Sequence, residues 1–109
     1  MLDAMIAAIR PGARCSAVAA IVDAMLRERG YAPLGPRRIG HGLGLSSGEP
    51  PSLGPMDDTV LEAGMVVTPE PVFALPSGER VHVEEAVLVT TAGCEKLTEG
   101  AATLAVLPA

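Results

Sequence analysis

The chain has 109 residues, room for one domain, and 49% of them are apolar, so a single core is within reach. Its net charge is −5, and Arg37–Arg38 is the only adjacent basic pair, which argues against a nucleic-acid phosphate backbone as partner. No apolar stretch comes near the ~20 residues of a membrane span.

One Tyr, one Phe and no Trp leave the core to Val, Leu, Ile, Met and Ala. Twelve Gly and ten Pro predict many turns. The first residues carry no basic region followed by an apolar run and cleavage site, so the expected location is cytoplasmic. Cys15 and Cys94 stand alone, with no CxxC and no Cys/His cluster, and are expected as reduced, partly buried thiols.

Leu2, Met5, Ile6 and Ile9 recur at helical spacing and predict a helix over 2–10, stopped by Pro11-Gly12. A stronger helix is predicted over 17–29. Ser16 is its expected N-cap, Val18, Ile21, Val22, Met25 and Leu26 form its apolar stripe, and Gly30 sits at the C-terminal stop. Residues 31–60 are dense in Gly and Pro and predict a long irregular stretch, a frequent setting for function. Asp57-Asp58 marks a turn or cap.

Residues 65–73 read as a strand. Pro69 and Pro71 within it cannot donate to a ladder, so one edge is expected to be unpaired or bulged. Residues 80–91, rich in Val and Thr, read as the strongest strand. Period two puts His82, Glu84 and Ala86 on one face and Val81, Val83, Glu85, Val87 and Val89 on the other. Residues 94–98 predict a short strand or turn, and residues 101–107 a last apolar strand.

Three side chains with chemical potential sit in unusual settings. His41 lies between glycines in Gly40-His41-Gly42-Leu43-Gly44, Glu70 lies between two prolines, and Glu84 interrupts a Val-rich strand. The plain reading is a hydrogen-bonded loop histidine and a wet hairpin face. The chemical reading is a metal site. Carboxylate oxygens and an imidazole nitrogen suit a hard or borderline divalent ion, and the glycines would let backbone pass close to it.

Four segments carry a family resemblance. Gly40-His41-Gly42-Leu43-Gly44-Leu45 with Glu49-Pro50-Pro51 resembles the GHGxGLxxHEPP segment of the Xaa-Pro dipeptidase and methionine aminopeptidase (creatinase-like) metallopeptidases. Residues 61–71 resemble the LxPGMVFTIEP segment, residues 81–90 the VRIEDxVLVT segment, and residues 91–98 the TxxGxExLT run. The segments keep the family's order and span nearly the whole chain.

The resemblance implies an α+β fold, the C-terminal half of a pita-bread domain: a curved antiparallel sheet with two helices on one face. Residues 1–109 would then be a single partial catalytic domain, its N-terminal half absent. It implies divalent metal ions (Mn, Co, Zn or Fe) held by His41, Glu70 and Glu84, with His41 and Glu70 also catalytic. It further implies hydrolysis of peptides with proline at the second position. His82 and Gly48 fall at substrate-binding positions, but depart from the family's arginine and second histidine. Pro69 stands where isoleucine is usual. The family's two aspartate ligands have no counterpart, since Asp3 and Asp23 fall in helical stretches. A partner is therefore expected, either the missing half or a second copy. The alternative is a non-catalytic module with an incomplete metal site.

Overall fold

In the computed structural model, which describes residues 1–32 and 36–100, two helices precede seven short strands. Helix α1 (Leu2–Ala8) and helix α2 (Cys15–Glu28) bury most of the apolar stripes predicted for them, with Ile6, Ile21 and Met25 only partly covered. Leu2 and Met5 are buried on the first, Ile9 just past its end, and Cys15, Val18, Ala19, Val22 and Leu26 on the second. Gly30 ends α2 at φ +73°. Its N–H donates to the Arg27 carbonyl, and the Tyr31 N–H reaches back to Leu26 at 2.9 Å, the bond pair of a Schellman stop.

The start of α2 differs from the expected Ser16 cap. The helix begins two residues earlier, with Arg14 at the N-cap and no side-chain cap bond. Its first amides donate instead to backbone carbonyls across the chain, Cys15 to Thr59 at 3.0 Å and Ser16 to Asp57 at 2.8 Å. The Ser16 hydroxyl bonds the Asp58 carboxylate. A tertiary contact thus satisfies the orphan donors that a local cap would otherwise serve.

The Gly/Pro-rich stretch is less irregular than its composition suggests. It contains β1 (Gly40–Gly42) and β2 (Glu49–Ser52), an antiparallel pair. The expected strand over 65–73 is two, β3 (Val66–Pro69) and β4 (Val72–Ala74), divided at Glu70-Pro71. The expected strand over 80–91 is likewise two, β5 (Arg80–His82) and β6 (Val87–Val89). Strand β7 (Cys94–Lys96) follows as predicted. The strand expected over 101–107 lies outside the described residues.

The strands form a five-stranded antiparallel sheet in the order β2-β1-β3-β6-β7, and a separate β4-β5 hairpin. β3 is central. It pairs with β1 through Val67–Pro69, but with β6 only through Val66 and Val67. The ladder to β6 stops short of Pro69, which has no N–H to give. One face of the sheet is covered by the helices. Met5, Ile9, Val18, Val22 and Leu26 meet Ile39, Leu53, Leu61, Val67, Val87 and Val89 in one cluster. Each such side chain, fully buried, contributes roughly 1.5–3 kcal/mol. The two strand breaks leave Glu70 and Glu84 at neighbouring crossings from the main sheet to the β4-β5 hairpin.

Candidate metal centre

His41 sits in the middle of β1, between β2 and β3, opposite Ser52 on one side and Thr68 on the other. Only glycine fits beside it. A Cβ on Gly40 would stand 2.5 Å from the Thr68 carbonyl oxygen and 2.6 Å from Leu53 Cδ1. One on Gly42 would stand 2.8 Å from the Pro50 carbonyl carbon. The flanking glycines therefore let three backbones close around the histidine, whose side chain is only 8% exposed.

The ring is oriented from behind. Its Nδ1 is 3.0 Å from the Gly42 carbonyl oxygen, which can only accept. The hydrogen-bond network thus assigns the proton to Nδ1 and leaves the Nε2 lone pair facing outward. The Thr68 hydroxyl lies 3.1 Å from Nδ1 and 3.3 Å from Nε2, so it props the ring rather than serving one nitrogen.

Glu70 is the first residue past β3. Its N–H donates to the Ile39 carbonyl at 2.8 Å, and buried Pro69 and Pro71 hold it on both sides. One carboxylate oxygen, Oε1, is 3.8 Å from His41 Nε2. The other, Oε2, is 3.3 Å from His82 Nε2. Glu84 reaches the same point from the segment between β5 and β6, its Oε1 4.0 Å from His41 Nε2. That segment is anchored by the next residue: the Glu85 N–H donates to the Pro69 carbonyl at 3.3 Å, and the Glu85 carboxylate pairs with Lys96 at 2.8 Å.

Donor atoms of His41, Glu70 and Glu84 all lie within 4.8 Å of one another, and among the described residues they are the one such group. Donors bound to a single ion at ~2.1 Å sit roughly 3–3.6 Å apart. The two spacings to His41 Nε2, 3.8 and 4.0 Å, exceed that by a few tenths of an ångström, and the widest spacing in the group, up to 4.8 Å, by more than 1 Å, so an ion would draw the carboxylates inward. One imidazole and two carboxylates, oriented from behind and open at Glu84, which is 45% exposed, fit a divalent ion of the first transition row.

The other sequence-predicted residues fall around this point. His82 is half exposed and touches Glu70. Gly48 faces the His41 ring, 3.7 Å from its Cγ when measured from an added Cβ. Asp3 and Asp23 lie on α1 and α2, and Asp23 pairs with Arg27 at 2.8 Å, so neither joins the cluster. The sequence reading misses Thr68 and the Glu85–Lys96 pair. The alternation that puts Glu85 among valines is a readable sign of an inward carboxylate needing a partner.

The chain is similar to several known peptidases. An uncharacterized peptidase of Staphylococcus aureus (strain MW2) is 41% identical over 93 residues, 85% of this chain and 26% of that protein. The prolidase from Pyrococcus furiosus superposes with a TM-score of 0.84 at 33% identity, over 92% of this chain and 30% of its own. The Xaa-Pro dipeptidase from Bacillus anthracis does so with 0.88 at 33% identity, over 97% and 30%. The chain thus spans between a quarter and a third of the length of these relatives. The sequence profile of metallopeptidase family M24 matches residues 1–91, and the chain belongs to that family.

Proposed function

We propose that residues 1–109 are the C-terminal catalytic portion, a single partial domain, of a proline-directed metallo-aminopeptidase or dipeptidase. The convergence of His41, Glu70 and Glu84 from three separate elements carries this reading. Two of the structures it matches are called a prolidase and an Xaa-Pro dipeptidase, so peptides with proline at the second position are the corresponding substrate class.

His41 Nε2 and one oxygen each of Glu70 and Glu84 would hold the ion, and Mn, Co, Zn and Fe all suit that donor set. When bound, the metal supplies Lewis acidity and activates water for attack on the scissile carbonyl. Glu70 Oε2, kept beside His82 rather than turned toward His41, is placed to take and return a proton. His82, on the exposed rim, and the open space at Gly48 border the substrate. A two-metal cluster needs further carboxylates, supplied by another segment or a second copy packed on this one. A non-catalytic module with a weak metal site is the second reading, favoured by the glycine at position 48.

Calorimetric titration of the purified chain with Mn, with Glu84→Ala as control, tests the proposal. Micromolar binding lost in the variant, with metal-dependent cleavage of Ala-Pro, supports it. Metal binding without cleavage, also when the missing N-terminal half is supplied, leaves the non-catalytic reading. No binding by the unaltered chain overturns the metal site.

A further inference from the structure

We propose that Thr98 and Lys96 are positioning residues for the metal ligand Glu84. Acting through Glu85, they hold the Glu84 segment against Glu70 where Pro69 interrupts the ladder between β3 and β6. The inference rests on the reading that His41, Glu70 and Glu84 hold a divalent ion.

The strand register shows why such a clamp is needed. Val66 lies opposite Leu88, and Val67 opposite Val87. Continued past the end of the ladder, the same register sets Pro69 against Glu85 and Glu70 against Glu84. In an antiparallel ladder every second pair of residues exchanges two hydrogen bonds. Pro69 and Glu85 occupy such a pair, but only half of it forms. The Glu85 N–H donates to the Pro69 carbonyl at 3.3 Å, while Pro69 has no N–H to return. Glu70 and Glu84, one residue further on, thus follow a pair joined by a single long hydrogen bond.

The replacement for the lost bond comes from the other side of the segment. Lys96 Nζ donates to Glu85 Oε1 at 2.8 Å. The Thr98 hydroxyl donates to Glu85 Oε2 and accepts the Ala86 N–H at 3.3 Å. The Leu97 N–H donates to the Ala86 carbonyl at 2.8 Å. Both residues that follow Glu84 are therefore fixed from β7 and the residues just after it. Glu70 is located from the opposite side, by its N–H on the Ile39 carbonyl at 2.8 Å. The two carboxylate ligands are held from opposite edges of the sheet, and the site closes across the break between them.

That arrangement bears on metal affinity. Glu84 Oε1 stands 4.0 Å from His41 Nε2, so the Glu84 carboxylate must move inward to share an ion. A ligand on a loosened segment loses more conformational freedom when it binds, and binds more weakly.

The test is read without and with metal. In the metal-free protein, hydrogen exchange of the Glu85 amide is followed in the unaltered chain, Thr98→Val, Thr98→Ser and Lys96→Met. Exchange about tenfold faster in Thr98→Val and Lys96→Met, near the unaltered rate in Thr98→Ser, and unchanged at the Val87 amide is the expected result. Calorimetry with Mn then shows both weakened variants binding about fivefold less tightly, short of the tenfold or more for a group bonded to the ligand itself. Pro69→Ala restores an N–H at the gap, so Thr98→Val weakens binding less in that background. Val22→Ala, a core change on α2, lowers the melting temperature and leaves Mn affinity unaltered. Glu85 exchange or Mn affinity indifferent to Thr98→Val and Lys96→Met overturns the proposal, as does an equal loss of affinity in Val22→Ala. Absence of Mn binding by the unaltered chain, with the exchange response intact, marks failure of the metal reading instead of failure of the clamp.

Discussion

Glu85 and Lys96 form a 2.8 Å ion pair between the approach to β6 and the end of β7, one residue from the Glu84 carboxylate. Glu85 is almost fully covered while Lys96 stays 40% exposed, and the Thr98 hydroxyl donates to the other Glu85 oxygen. Hydrogen bonds from Lys96 and then Thr98 hold the Glu85 carboxyl below its usual range. A depressed folded-state pKa contributes stability above the ordinary value near 4.5, lost as pH falls below it. Lys96→Met should cost about 2 kcal/mol at neutral pH, because it strips a covered carboxylate of its charged partner at the protein's rim. The penalty should shrink as pH drops below 4.5. Urea melts of both proteins at two pH values check this, and a penalty independent of pH would count against the pair.

The glycines beside His41 make a sharper prediction. At Gly42 an added methyl group would run into the Pro50 carbonyl, backbone that cannot swing aside. Gly42→Ala should therefore separate β1 from β2 at a cost of about 3 kcal/mol or more. At Gly48 the tightest neighbour is the end of the flexible Arg38 side chain, so Gly48→Ala should be nearly neutral. Thermal melts of the two variants side by side read the contrast.

The same residues mark how far the amino-acid sequence by itself specifies the fold and the site. The glycines around His41 and the prolines around Glu70 signal close backbone approach and a stiff, non-donating strand, and both features are present. Period two separates inward Glu85, Val87 and Val89 from outward His82 and Glu84, and the burial agrees. The breaks inside the two long strands fall at Glu70-Pro71 and around Glu84-Glu85, where the prolines and carboxylates mark an irregularity but not a change of sheet. Each stretch divides because the chain leaves the main sheet to form the β4-β5 hairpin, a tertiary choice no local pattern spells out. Ser16 resembles a helix cap locally, but its true partners lie about forty residues away, where no local pattern points. Arg38 looks like half of a solvated basic pair, since its proximity to Gly48 exists only once the hairpin has folded.

Thr68 offers a test of ring orientation separate from the ligands themselves. Its hydroxyl contacts both His41 nitrogens, but the Gly42 carbonyl alone has the geometry to fix the tautomer. Thr68→Val keeps the volume and removes the polar contact. Groups behind a metal-bound histidine commonly tune affinity about 10- to 100-fold, and a prop equidistant from both nitrogens belongs at the lower end. The expected outcome is about tenfold weaker Mn binding by calorimetry with little change in fold. Unchanged affinity would mean that Gly42 alone orients the ring.

Asp57 ties the end of β2 to the start of α2, its oxygens taking the Ser52 and Thr59 N–H groups and its carbonyl taking that of Ser16. The Thr59 side chain, then the Ser52 and Thr59 amides, lower its pKa from the ordinary 3.8. The sign matches that of Glu85: the stabilisation is present above 3.8 and lost as acid protonates the carboxylate. Asp57→Asn keeps one acceptor but loses the charge and the second. Because the carboxylate is partly exposed, solvent screening limits the loss to about 1 kcal/mol at neutral pH. Parent and variant should converge in stability well below pH 3.8, where the parent has lost the same charge. Calorimetric melting from strongly acidic to neutral pH reads that convergence, and a constant gap would show that Asp57 acts through shape rather than charge.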